Sequence, residues 1–135
     1  MVEEARKLAK LKNLKVIEVS HFFNNKYIFN HKVINDCGIE EWLGYMYNAD
    51  YVVTNSFHGC CFSIIFKKQV FLFERNKTDF KMPDLVDKLG MKQCLIKCEN
   101  KTIPTDVKPV DYDEVYKRLD EFRRVSYNFI RDNIL

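Results

Sequence analysis

The segment of the chain with the most chemical potential is T-N-S-F-H-G, at residues 54–59, between an apolar run and a helix-forming run. Asn55 and Ser56 are residue types that cap helices, because their side-chain oxygens accept hydrogen bonds from first-turn N–H groups. Those N–H groups carry partial positive charge and can bind a phosphate or a carboxylate. Gly59 would leave this backbone open to a ligand, and His58 could donate a hydrogen bond or a proton.

A purely structural interpretation of the same segment is equally open on spacing alone. His58 could fill a gap in the core or bond a backbone carbonyl, and Ser56 could cap the helix and do nothing else. The two interpretations differ in the expected effect of replacing His58. The loss would fall on stability if His58 is a satisfied core residue, and on activity if it transfers a proton.

Alternating apolar runs and amphipathic stretches predict the elements that position this segment. Short runs rich in β-branched residues predict strands, and apolar residues three or four apart predict helices. The predicted strands lie at residues 14–19, 50–54, 70–73 and 94–97. The predicted helices lie at residues 3–12, from 39 to 47, at 57–66, between Pro83 and Gly90, and from 112 to 130. Strands that alternate with helices predict one Rossmann-like α/β domain over residues 1–135, with a parallel sheet and helices on both faces.

The helices also carry packing expectations. The stripe that begins at Ile39 and ends at Tyr47 should pack on the sheet. The helix at 57–66 is apolar on nearly every side and should be buried between layers, and the apolar residues from Tyr112 to Ile130 should form the buried face of the last helix. The polar and aromatic segment between the first strand and Ile39 is expected to be a loop.

Parallel strands bring their carboxyl ends to one edge of a sheet, where ligands bind. Three loops begin at that edge, and they contain Ser20 and His21, residues 54–59, and Glu74, Arg75 and Asn76. We therefore expect His21 and Arg75 to join residues 54–59 in a substrate-binding site.

Composition and charge exclude several classes of protein. A net charge of +3, from 22 basic and 19 acidic residues in alternation, predicts no nucleic-acid partner. The first ten residues are too charged for a signal peptide, and the longest apolar run is too short to cross a bilayer. A cytoplasmic location is therefore expected, with a peripheral position at the inner membrane face as an alternative. The five cysteines lack zinc-site spacing, so we expect reduced core thiols and no metal.

The segment N-A-D-Y-V-V-T-N-S-F-H-G-C-C-F-S-I-I-F-K-K, at residues 48–68, resembles the signature segment of the polysaccharide pyruvyl transferase family. The similarity includes E-E-W-L upstream and F-L-F-E-R-N and D-L-V-D-K-L-G-M downstream, and covers residues 14 to 130. Members of that family resemble two-domain glycosyltransferases of the GT-B kind. The resemblance implies that this chain is the C-terminal half of such an enzyme, without the N-terminal domain.

The implied activity transfers a pyruvyl group from phosphoenolpyruvate to two sugar hydroxyls as a ketal, in the synthesis of cell-surface glycans. The implied partners are phosphoenolpyruvate, a glycan or lipid-linked sugar acceptor, and the missing N-terminal domain; no metal or other cofactor is implied. The resemblance places the family's histidine at His58, as the catalytic residue. The residues expected to bind substrate are His21, Asn55, Ser56, Gly59, Arg75 and Lys81.

Three positions depart from the family pattern. Asn55 stands in place of an aspartate, and Phe80 and Lys81 stand in place of a serine and an arginine. Lys81 keeps a positive charge but lacks the planar fork that binds phosphate through two N–H groups. Two other functions stay open: the donor-binding half of a nucleotide-sugar glycosyltransferase, and a non-catalytic anion-binding remnant. The isolated chain is expected to be inactive.

Overall fold

The computed structural model describes residues 1–20 and 32–134. The helices in that part of the chain are α1 (Val2–Lys12), α2 (Ile39–Asn48), α3 (Phe57–Ile65), α4 (Lys81–Lys88) and α5 (Tyr112–Ile134). The strands are β1 (Ile17–Val19), β2 (Lys32–Ile34), β3 (Tyr51–Thr54), β4 (Gln69–Phe73) and β5 (Leu95–Ile96). A single 3-10 turn, Lys92–Cys94, precedes β5.

The strands form two parallel arrangements. β3, β4 and β5 pair in that order, and β1 pairs with β2. Each of the two crossovers in the larger sheet contains a helix, α3 between β3 and β4 and α4 between β4 and β5. Parallel strands joined through helices define a Rossmann-like α/β fold, as the sequence predicts.

The core has two layers, one on each face of the larger sheet, because side chains point alternately to the two faces along each strand. Val52, Val70 and Leu72 face a cluster that contains buried residues of α2, α3, α4 and α5. Phe71 and Phe73 face the opposite side, where Leu8 of α1 packs. Successive strand residues point to opposite faces, so both faces of this sheet are covered by helices, as predicted.

One expectation about the first half of the chain is wrong, and a second holds for only part of its residues. The segment expected to be a loop contains β2, whose three residues pair with β1. The stripe on α2 reaches the core cluster of the sheet through Trp42 and Met46, whereas Ile39 is 80% exposed and Tyr47 is 62% exposed. α2 also contacts α3, where Trp42 meets Phe62 edge to face with ring centroids 5.3 Å apart.

α3 and α5 are also less buried than their apolar residues predict. α3 buries the face formed by Gly59, Cys60, Ser63 and Ile64, while Ile65 is 55% exposed. α5 packs through its first two turns only, and its C-terminal half is exposed to solvent. The apolar side chains exposed there are Phe122, Val125, Tyr127, Phe129, Ile130 and Ile134.

Two backbone carbonyls near the end of α3 are bound by one side chain of α5. The Tyr112 hydroxyl hydrogen-bonds to the carbonyl oxygen of Ser63, at 3.1 Å, and to that of Lys68. The Ser63 hydroxyl in turn donates to the carbonyl of Gly59, at 2.7 Å, one turn earlier in α3. The first turn of α5 is therefore connected to the N-terminal part of α3 through buried hydrogen bonds.

Candidate anion site at the N-terminus of α3

The turn between β3 and α3 is built by two side-chain oxygens. Thr54, the last residue of β3, accepts a hydrogen bond from the Ser56 backbone N–H at 3.1 Å through Oγ1. Ser56 is the N-cap of α3, and its Oγ accepts from the Gly59 N–H at 3.4 Å. The capping role predicted for Ser56 is therefore confirmed. The role of Thr54 as an acceptor in this turn was not predicted from the sequence.

Gly59 is fixed by close packing between α3 and β3. A Cβ atom at this position would lie 2.6 Å from Thr54 Oγ1 and 2.9 Å from Thr54 Cγ2. Real Cβ atoms do not approach other atoms this closely, so no residue with a side chain fits unless Thr54 or α3 is displaced. The structure thus gives Gly59 a packing role, and its predicted contact with a ligand stays a prediction.

His58 is exposed at the start of α3. The position is incompatible with the core interpretation, under which the imidazole would fill a gap in the interior. Within residues 1–20 and 32–134 no hydrogen bond to the imidazole is found, so the carbonyl-bonding interpretation has no support there either. Its neighbour Phe57 is 39% exposed, with ring centroids 6.5 Å apart. The imidazole is therefore accessible to a ligand that approaches the N-terminus of α3.

Arg75 joins the loop after β4 to the loop after β3. Its Nε donates a hydrogen bond to the backbone carbonyl of Asn55, at 3.0 Å. A guanidinium group has five N–H donors, so this bond leaves the two terminal nitrogens available. Arg75 therefore contacts the loop at residues 54–59, and its role in binding a substrate stays a prediction.

Lys81, another predicted site residue, is not joined to this cluster in the described part of the chain. Lys81 is the exposed first residue of α4, and its backbone N–H donates to Asp79 Oδ1 at 3.4 Å. In the described part of the chain no hydrogen bond or ion pair connects Lys81 with residues 54–59. Phe80 beside it is 72% exposed. His21 lies outside the described residues.

The cysteines are poor candidates for chemistry at this site. Burial raises the pKa of the Cys60 thiol to about 12 and that of the Cys94 thiol to about 11. Both thiols are buried in the core, as predicted, whereas Cys37, Cys61 and Cys98 are half-buried. A thiol with a raised pKa stays protonated near neutral pH and is a weak nucleophile. No three His, Cys, Asp or Glu side chains of the described residues are grouped as metal ligands would be.

Among the described residues, the candidate site is an open surface. His58 and Arg75 are both exposed, and Asn55 and Ser56 are half-buried. Two depressions with volumes of about 390 and 340 Å³ lie near α4 and α5, and neither is lined by a predicted site residue. Both depressions lie away from the polar groups assembled after β3 and β4, so we do not place the site there.

This chain is a Rossmann-like α/β domain that has a capped helix N-terminus, an accessible histidine and an arginine at the carboxyl edge of its sheet, an arrangement suited to an anion. The family model described as polysaccharide pyruvyl transferase matches residues 2–77, more than half of the 135 residues. The chain therefore belongs to the polysaccharide pyruvyl transferase family. Searches of curated proteins and of solved structures returned no match.

The matched residues contain α1 to β4, with the β3–α3 turn and Arg75. The match ends at Lys77, so the downstream part of the resemblance, including Lys81, lies outside it. No helix in the described ranges is both long enough and apolar enough to cross a membrane.

Proposed function

We propose that the N-terminus of α3 binds the phosphate of phosphoenolpyruvate, in an enzyme that transfers the pyruvyl group to a sugar as a ketal. The observation that carries the proposal is the 3.0 Å hydrogen bond from Arg75 Nε to the Asn55 carbonyl. It holds a guanidinium group beside the first N–H groups of a helix. An arginine and a helix N-terminus both favour an anion, and together they are a suitable site for a dianionic phosphate.

The chemistry of ketal formation matches the groups near this turn. Two sugar oxygens form bonds to the enol carbon, the carbon–oxygen bond to phosphate breaks, and the methylene carbon gains a proton. One hydroxyl proton balances the proton added to carbon, and the other leaves with phosphate or solvent. His58 is proposed as the proton donor or as a clamp on the phosphate. The departing phosphate is stabilised by fixed donors, for which Arg75 and Ser56 are proposed.

The other predicted residues enter the proposal with less defined tasks. Asn55 is proposed to contribute a side-chain donor at the turn and Gly59 to allow close approach to its backbone, and Lys81 and His21 are proposed to contact the donor or acceptor from neighbouring loops. A single exposed surface does not exclude water or orient two hydroxyl groups. We therefore propose that a second, N-terminal domain of the GT-B kind closes over this face in the active enzyme and binds the glycan acceptor.

Titration with phosphoenolpyruvate and with inorganic phosphate tests this assignment. Amide shifts recorded by NMR should cluster at residues 54–60, because an anion bound at the start of α3 would change the environment of those amides. Arg75→Ala should weaken binding by about tenfold or more, the loss typical of a charged hydrogen bond. Lys77→Ala is the matched control, since Lys77 lies in the same loop but is ion-paired with Glu99.

Shifts that cluster away from residues 54–60, or no shifts at millimolar ligand, would contradict the proposed site. A sugar nucleotide provides the comparison with the glycosyltransferase alternative. Tight binding of the sugar nucleotide with no response to phosphoenolpyruvate would favour that alternative. Binding of phosphate by a reconstituted two-domain protein that shows no turnover would favour a non-catalytic remnant.

A further inference from the structure

Glu74 connects the end of β4 to the end of β5 and the chain that follows it through two hydrogen bonds. Its backbone N–H donates to the carbonyl of Ile96 at 2.9 Å, which adds one hydrogen bond to the parallel pairing of β4 with β5. Its side-chain Oε2 accepts a hydrogen bond from the Cys98 backbone N–H at 3.2 Å. Glu74 is half-buried, and it therefore bonds to Ile96 through its backbone and to Cys98 through its side chain.

Arg75, the next residue, forms its hydrogen bond on the other side of β4. Since β4 lies between β3 and β5, the Arg75 contact with Asn55 falls on the β3 side and the Glu74 contacts fall on the β5 side. The position of the guanidinium group thus depends on where Glu74 holds the backbone. Without the hydrogen bonds of Glu74, the chain after Phe73 would sample more conformations. Binding an anion would then carry the entropic cost of ordering Arg75.

We propose that Glu74 is a positioning residue that pre-organises Arg75 for the phosphate at the N-terminus of α3. This inference rests on the proposed function of that site and adds a residue to it. A carboxylate beside an anion site is unfavourable by charge alone, because like charges repel. The observed contact of the Glu74 carboxylate is instead its bond to the Cys98 N–H, which points to a geometric role.

Four variants of the full chain separate geometry from charge. Glu74→Gln keeps an oxygen that can accept from the Cys98 N–H but removes the charge. Glu74→Asp keeps the charge but is one methylene shorter, so its oxygen falls short of that N–H, and Glu74→Ala removes both properties. Glu99→Ala is the control, because Glu99 is an exposed carboxylate that pairs with Lys77 between the same two loops.

The measurements are the dissociation constant for inorganic phosphate and the NMR signal of the Arg75 Nε–H group. Glu74→Ala and Glu74→Asp should weaken phosphate binding by about three- to tenfold, the effect of one hydrogen bond. Both should speed exchange of the Arg75 Nε proton with water. Glu74→Gln and Glu99→Ala should stay within about twofold of the wild type, since neither removes the acceptor for the Cys98 N–H.

Several results would overturn the inference. Equal binding and unchanged Nε–H exchange in Glu74→Asp and Glu74→Ala would show that Arg75 needs no support from Glu74. Tighter binding in both Glu74→Gln and Glu74→Ala would show that only the charge matters. If the wild type binds no phosphate, the proposed function fails by itself, and the positioning role is then decided by the Nε–H exchange alone. If Glu74→Ala does not fold, the comparison of Glu74→Asp with Glu74→Gln decides it.

Discussion

His58 differs from the other polar residues of the β3–α3 turn, because the described structure gives it no part in holding that turn together. Ser56 and Thr54 accept backbone hydrogen bonds, and Arg75 donates one, whereas the His58 imidazole is exposed and without a hydrogen bond from the described residues. We therefore expect His58→Gln to change the free energy of unfolding by no more than about 0.5 kcal/mol. Glutamine cannot supply a titratable proton, so turnover by the complete enzyme should fall by about two to four orders of magnitude.

Thermal unfolding and turnover should be measured on the same His58→Gln preparation. Ser56→Ala is a useful comparison, because it removes the cap and should lower stability by about 1 kcal/mol. A His58→Gln protein with full turnover would remove the catalytic role. A large loss of stability with unchanged turnover would show that the imidazole has a structural partner after all.

The element that carries the site, α3, is held at its far end by Tyr112 of α5. Burial first, and then the neighbouring thiols of Cys94 and Cys60, raise the pKa of the Tyr112 hydroxyl above its ordinary value. The folded state thus favours the neutral phenol, whose single O–H is shared between the Ser63 and Lys68 carbonyls. The resulting stability is fully present below the unfolded pKa of about 10 and is lost as pH rises through the higher folded pKa.

Tyr112→Phe tests this attachment. At neutral pH the variant should be less stable by about 1 to 3 kcal/mol, because two buried carbonyls lose a donor. Above about pH 10, Tyr112 ionises in the unfolded state while the folded state still holds it neutral, and this lowers the free energy of unfolding of the wild type. Tyr112→Phe has no such group, so the difference in stability between the two proteins should shrink. Denaturant unfolding of both proteins from neutral to alkaline pH measures that difference. A difference that stays constant or grows with pH would mean that the phenol is not held neutral by the fold.

The elements around the site were predictable to the extent that local patterns determine them. β3, α3 and β4 follow from apolar runs and a capping serine, and the loops that contain Arg75 and Ser56 meet because parallel strands end at one edge. β2 was missed because three residues give too short a pattern, and its strand partner comes from earlier in the chain. The contact of Glu74 with Cys98, 24 residues along the chain, has no local signal at all. The exposure of Ile39 and Phe129 likewise depends on which surfaces meet, and the helical period does not encode that.

At the scale of the whole molecule, the described residues form one wall of the candidate site. Exposed groups on a single surface can attract a phosphate, but ketal formation also needs the two sugar hydroxyls held in place and bulk water kept out. We therefore expect the 135-residue chain to bind phosphoenolpyruvate and to transfer no pyruvate to sugars. The same chain within a two-domain protein should show transfer, and His58→Gln in that protein supplies the inactive control.

The measurement is the formation of pyruvylated sugar and the release of phosphate, followed together over time. Both should be absent for the isolated chain, and they should appear in equal amounts for the two-domain protein, since each ketal formed releases one phosphate. Phosphate release without ketal would indicate hydrolysis of phosphoenolpyruvate, which is expected when the site is open to water. Ketal formation by the isolated chain would contradict the prediction, because it would show that the exposed turn between β3 and α3 positions both substrates without a second domain.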